Sequence, residues 1–102
     1  METEEDFLKA VIDLAHLYGW KVFHARPAMT GKGYRTPIQG DGTGFPDLVL
    51  VRDQVLFAEI KSENGKITGT QAQWIADLIV AKQLTYIWRP SDWGKIVEIL
   101  KQ

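Results

Sequence analysis

The chain contains no cysteine among its 102 residues. That excludes disulfides and thiolate metal centres, and it fits an intracellular setting. No apolar run approaches the ~20 residues of a membrane span, so no membrane partner is expected. The opening Met1-Glu2-Thr3-Glu4-Glu5-Asp6 is acidic and lacks the basic start of a secretory signal. The formal net charge is only −1, which argues against a generic polybasic nucleic-acid binder. Histidine is scarce: His16 and His24 are the only two, and they do not stand at metal-ligand spacing. Both are read as structural. No GxxxxGK[ST] segment leads into a helix, so no nucleotide cofactor is expected. There are no internal repeats and no low-complexity tracts.

A hydrophobic fraction of 45% supports a folded protein, and the length fits one domain spanning 1–102. Charge is unevenly spread. Glu2, Glu4, Glu5, Asp6 and Asp13 crowd the start, whereas Lys21, Arg26, Lys32 and Arg35 follow, opposed only by Asp41. A local basic patch can bind phosphates while net charge stays near zero.

Residues Thr3 to Tyr18 carry the spacing of an amphipathic helix. Phe7, Ala10, Val11, Leu14, Leu17 and Tyr18 form its apolar face. Thr3 is placed to cap it with Asp6, and Gly19 to end it. At about 100° per residue Glu4 projects close to the apolar face and Glu5 nearly opposite. Glu4 therefore serves either the helix dipole or an inward role. Trp20–His24 alternates as a strand. From Arg26 to Thr43 the chain reads as a long glycine-rich loop holding Arg26, Lys32, Tyr34 and Arg35. Long loops in compact domains are usually functional or disordered. This one leads directly into Pro46-Asp47.

Next come two apolar runs, Leu48–Val51 and Val55–Ile60, around Arg52-Asp53-Gln54, which reads as a tight hairpin buried on both faces. Asp47 opens the first strand, and Glu59 and Lys61 close the second. Side chains alternate along a strand, so Glu59 and Lys61 share a face with Phe57. Burying a charge is costly unless it is paired or binds a metal, so the cluster marks a site. A surface ion-pair cluster at strand ends is the plainer alternative for any one of the three. Asn64-Gly65 signals a turn. Thr68 caps a second helix running to about Gln83, with Trp74, Ile75, Leu78 and Ile79 inward. Gln71 falls on that same face, where it needs a polar partner such as Lys61, a water or a phosphate. Leu84–Trp88 is a strand expected to lie parallel to the Glu59 strand. Arg89-Pro90 ends it, and Ser91 caps a last helix with Trp93, Ile96, Val97 and Leu100 inward. The element order is αβββαβα.

Pro46-Asp47 followed by Glu59-x-Lys61 resembles the PD-(D/E)xK nuclease superfamily. Gly44-Phe-Pro-Asp-Leu-Val-Leu-Val51, Phe57-Ala-Glu-Ile-Lys-Ser62, Gln71-x-x-Trp74 and Tyr86-Ile-Trp-Arg-Pro-Ser91 together resemble its virus-type replication-repair nuclease (VRR-NUC) domain, over nearly the whole chain from Glu4 onward. The resemblance implies an α/β, restriction-endonuclease-like core, with a mixed central sheet flanked by helices. It also implies a Mg²⁺-dependent endonuclease, with Mn²⁺ able to substitute. Asp47 and Glu59 would hold the metal, with the Ile60 carbonyl and Glu4 as further oxygen ligands. Lys61 would orient or deprotonate the attacking water, or stabilise developing charge. Gln71 would position Lys61 or the water. Arg26, Lys32, Tyr34 and Arg35 would contact DNA. Stand-alone members, often from phages and prophages acting in the bacterial cytoplasm, resemble homodimers that cut four-way junctions symmetrically. Alternatives are a catalytically silent branched-DNA-binding module and a flap or nicking repair nuclease. Gly69 stands where the family often has proline.

Overall fold

The computed structural model describes residues 3–24 and 40–102, together with the backbone of 28–30 and 33–35. Helix α1 covers Glu4–Leu17. It starts as its first turn dictates: the Thr3 hydroxyl accepts the Asp6 N–H at 3.0 Å, and three acids lie at the positive end of the helix dipole. It stops where Gly19 turns left-handed at φ +85°. Phe7, Val11 and Ala15 are buried, whereas Leu17, at helical spacing, is 74% exposed.

Strand β1 (Lys21–His24) pairs antiparallel with β4 (Leu48–Val51). Strand β4 turns through Arg52–Gln54 into β5 (Val55–Ile60), again antiparallel, with Leu48 opposite Ala58 and Val51 opposite Val55. After helix α2 (Gly69–Val80), β6 (Leu84–Trp88) lies parallel to β5, so the sheet order is β1-β4-β5-β6. Helix α3 covers Trp93–Lys101. The core order αβββαβα and the mixed sheet agree with expectation. The stretch expected to be loop contains one addition: β2 (Ala28–Thr30) and β3 (Gly33–Arg35) pair antiparallel as a separate two-stranded sheet. The two-residue spacing between Thr30 and Gly33 is that of a tight hairpin, a signal the glycine content obscured.

One face of the main sheet carries Leu48, Leu50, Leu56, Ala58, Ile60 and Trp88. It packs against Phe7, Val11 and Ala15 of α1 and Ile96 and Leu100 of α3 to form the core. The opposite face bears Val49, Phe57 and Glu59, on the side of α2. It is only partly covered, since Phe23 is 60% and Val51 39% exposed. The two central strands are therefore not buried on both faces; β4 alternates instead.

Other boundaries also differ from expectation. Helix α2 ends at Val80 rather than near Gln83 because Lys82 is left-handed at φ +64°, with its N–H bonded to the Ile79 carbonyl at 2.9 Å. Ile79 is 55% exposed, so it does not join the buried face. At α3 the cap is not Ser91. Residues Pro90–Asp92 form a 3₁₀ turn, and the Asp92 carboxylate accepts the Arg89 N–H at 2.9 Å. Trp93 is 38% exposed and meets the Phe7 ring edge-to-face at 6.5 Å.

Candidate functional site

The hairpin β4–β5 brings three charged side chains to one end of the sheet. Asp47 immediately precedes β4, and its Oδ2 accepts the Ile60 N–H at 2.8 Å, so the carboxylate continues the strand ladder where the backbone pairing stops. Glu59 lies on the face opposite the main core and is 1% exposed. Its Oε1 is buried without a hydrogen-bond partner. Lys61 reaches back along the same face, its Nζ 3.7 Å from Glu59 Oε2, with its side chain 12% exposed.

The electrostatics follow from this crowding. Burial pushes the Glu59 carboxyl up to about 8, from an ordinary value of 4.5. The Asp47 carboxylate beside it pushes the same way; Lys61 opposes, and Glu4 adds a smaller upward push. Two carboxyls share this space, and one ammonium does not offset their repulsion and burial. A cation between them would. The oxygen donor set, the unpartnered Oε1 and the half-exposed Asp47 suit a hard divalent ion. Among the described residues, no three His, Cys, Asp or Glu side chains converge to hold a metal by themselves. Glu4 is exposed at the start of α1, within electrostatic reach of Glu59.

The segment entering Asp47 is pinned from α2. Gly44 is left-handed at φ +89°, and a Cβ there would lie 2.6 Å from the Thr70 backbone carbon. Only glycine lets the chain pass this close to the start of α2. Phe45 stacks edge-to-face on Trp74 at 5.0 Å and on Phe57 at 6.0 Å, and Trp74 Nε1 donates to the Asp41 carbonyl at 2.9 Å.

Gln71 caps α2 in this structure. Its side-chain oxygen accepts the Thr68 N–H at 2.9 Å while its own N–H donates to the Thr68 hydroxyl at 3.3 Å, a reciprocal capping box. The Thr-x-x-Gln spacing announces that box in the sequence. Arg26 and Lys32 lie outside the described residues. Tyr34 and Arg35 fall on β3, described through its backbone only. Arg89, which the sequence marks only as the end of β6, is bonded to the turn that follows Lys61. Its partners lie 24 to 27 residues away, so no local pattern shows them.

A family model described as the VRR-NUC domain matches residues 21–94. The match runs from β1 to the start of α3. It includes Asp47, Glu59, Lys61 and Gln71 and leaves Glu4, with all of α1, outside. No curated protein and no solved structure matches the chain.

Proposed function

Since the chain belongs to the VRR-NUC domain family, nucleases of the PD-(D/E)xK type, we propose that it is a Mg²⁺-dependent, structure-selective DNA endonuclease. Its substrates are four-way junctions or other branched DNA. The observation that carries the catalytic part is the buried Glu59, its Oε1 unpartnered, set beside Asp47 and 3.7 Å from Lys61 Nζ.

In this proposal Asp47 and Glu59 hold the divalent ion, with the Ile60 carbonyl and Glu4 completing the oxygen set. A divalent ion held there would supply Lewis-acid chemistry, lowering the pKa of a water and polarising the phosphoryl oxygen. Lys61 supplies a fixed ammonium beside the metal-binding carboxylates. There it orients the attacking water and offsets charge developing on the phosphate. The hydrogen bond from Ile60 N–H holds Asp47 in place beside Glu59. Arg26, Lys32, Tyr34 and Arg35 contact the DNA flanks. Two copies related by a two-fold axis would place one site on each of two strands, as paired junction cuts require.

The test is cleavage of labelled four-way junction, flap and plain duplex with Mg²⁺ or Mn²⁺, beside Asp47→Ala and Lys61→Ala. The expected outcome is metal-dependent cutting of branched DNA, reduced by at least about a hundredfold in either variant, the order of loss for removal of one preorganised charged group. Tight branched-DNA binding with no cutting under any divalent metal would instead make the chain a silent binding module. Equal cutting of flap and junction would make it a general repair nuclease.

A further inference from the structure

A lysine that acts on a phosphate must be aimed, and its flexible four-carbon stem does not aim itself. In this structure the aim comes from the turn that follows. Lys61 N–H donates to the Trp88 carbonyl at 3.0 Å, extending the β5–β6 pairing by one residue. The chain then folds back through Ser62–Gly65, closed by the Gly65 N–H on the Ser62 carbonyl at 3.1 Å. The far arm of this turn lies on the lysine stem: a Cβ at Gly65 would stand 3.4 Å from Lys61 Cδ.

The turn is held from β6. Arg89 Nη1 donates to the Ser62 carbonyl at 2.7 Å, the Gly65 carbonyl at 2.7 Å and, less closely, the Glu63 carbonyl at 3.2 Å. Glu63 Oε1 in turn accepts the Ser91 N–H at 2.9 Å. Arg89 is itself anchored, through its N–H to the Asp92 carboxylate and through its carbonyl to the Asp92 N–H at 2.8 Å. Carbonyl oxygens converging on one point repel one another unless a donor satisfies them, and the permanently charged guanidinium is suited to that role.

We infer that Arg89 is a positioning residue for Lys61. It fastens the Ser62–Gly65 turn against the lysine stem and so keeps Nζ at the carboxylate pair. For its effect on cutting, this inference rests on the nuclease reading above; for the state of Lys61 it stands apart from it.

The experiment compares full-length wild type with Arg89→Met and Arg89→Lys. Three quantities are read: the single-turnover rate of branched-DNA cleavage at saturating protein, DNA affinity in EDTA, and the acetylation rate of Lys61 by an N-hydroxysuccinimide ester, mapped by peptide mass spectrometry. Hydrogen exchange of the Ser62–Gly65 amides accompanies them. Arg89→Met is expected to slow cleavage on the order of 10- to 100-fold, the range for a misplaced catalytic group. DNA affinity stays unchanged, while Lys61 acetylation and turn exchange speed up. Arg89→Lys keeps the charge and three N–H donors on one atom, but its stem ends one bond short of the Nη1 position, so it should fall between wild type and Arg89→Met; it carries the test if the methionine variant does not fold.

Unchanged Lys61 acetylation and turn exchange in both variants would overturn the inference. So would a loss of affinity matching the loss of rate, which would make Arg89 a DNA contact. If the wild type cuts no DNA, the nuclease reading fails, and acetylation and exchange alone decide the role of Arg89.

Discussion

At the scale of single residues, Glu59 sets the pH behaviour. Its carboxyl titrates near 4.5 in ordinary surroundings and near 8 in the fold. Below 4.5 it is protonated whether the chain is folded or not, and the fold bears no penalty. As pH rises from 4.5 to 8 the unfolded chain releases the proton while the folded chain retains it. Stability then falls by up to about 1.4 kcal/mol per pH unit for this group. The melting temperature of the metal-free protein should therefore drop between pH 5 and pH 8 in thermal scans. Glu59→Gln should flatten that slope, and a slope unchanged in this variant would assign it to other groups. The oddity of Asp47, Glu59 and Lys61 was legible in the sequence, because charges interrupt apolar strands there. That Glu59 Oε1 has no partner was not, since it depends on what the sheet and α1 bring around it.

At the scale of elements, helix α2 shows both how local chemistry is read and how it misleads. Gln71 lies on the inward side by helical periodicity, and the structure agrees that it is half-buried. Its oxygen is committed to the Thr68 cap, which leaves the side-chain amide nitrogen as the group that can reach further. Gly69 follows that cap with open space where a side chain would go, and without a positive φ. Thr68 is already extended at φ −78°, ψ 167°, as a residue before proline must be. Gly69→Pro should therefore stabilise the protein by about 0.4–1 kcal/mol, by narrowing the unfolded ensemble. Thermal or urea unfolding would check it, and a lowered midpoint would mean that the Gly69 N–H has a partner in the fold. The end of α2 was less legible: Lys82 accepts a left-handed conformation that its residue type gives no reason to expect.

At the scale of the whole molecule, the described sheet, α1 and α3 share one core, with Trp20 and Trp88 both inside it. Tryptophan fluorescence and far-UV circular dichroism should lose structure in one superimposable transition, as a single domain requires. Two separated transitions would divide the α2 side from the core. The β4–β5 hairpin and the parallel β5–β6 pair were recoverable from the tight turn and the βαβ connection, whereas nothing local places β1 beside β4. The β2–β3 hairpin was missed because glycine and basic residues masked two short strands. The DNA contacts expected of Arg26, Lys32, Tyr34 and Arg35 rest on where the loop leads, into Pro46-Asp47; their side chains lie outside the described residues.

The far end of the sheet is braced differently from the site. Arg52 lies 4.5 Å over the Trp20 ring and donates to the carbonyls of Tyr18, at 2.9 Å, and Leu100, at 3.1 Å. Trp20 Nε1 shares that Leu100 carbonyl at 2.8 Å. The hairpin tip, the end of α1 and the end of α3 are thus knotted together. From Val55 to Glu59 the strand climbs about 13 Å away from this knot. Asp53, at the tip, is 75% exposed in its side chain and loosely paired with Arg52 at 3.5 Å, an interaction of small energetic weight. In a chain without cysteine, Asp53→Cys would be the sole thiol. It offers a handle for tethering one molecule to a bead or a glass surface at the end of the sheet remote from the carboxylate pair.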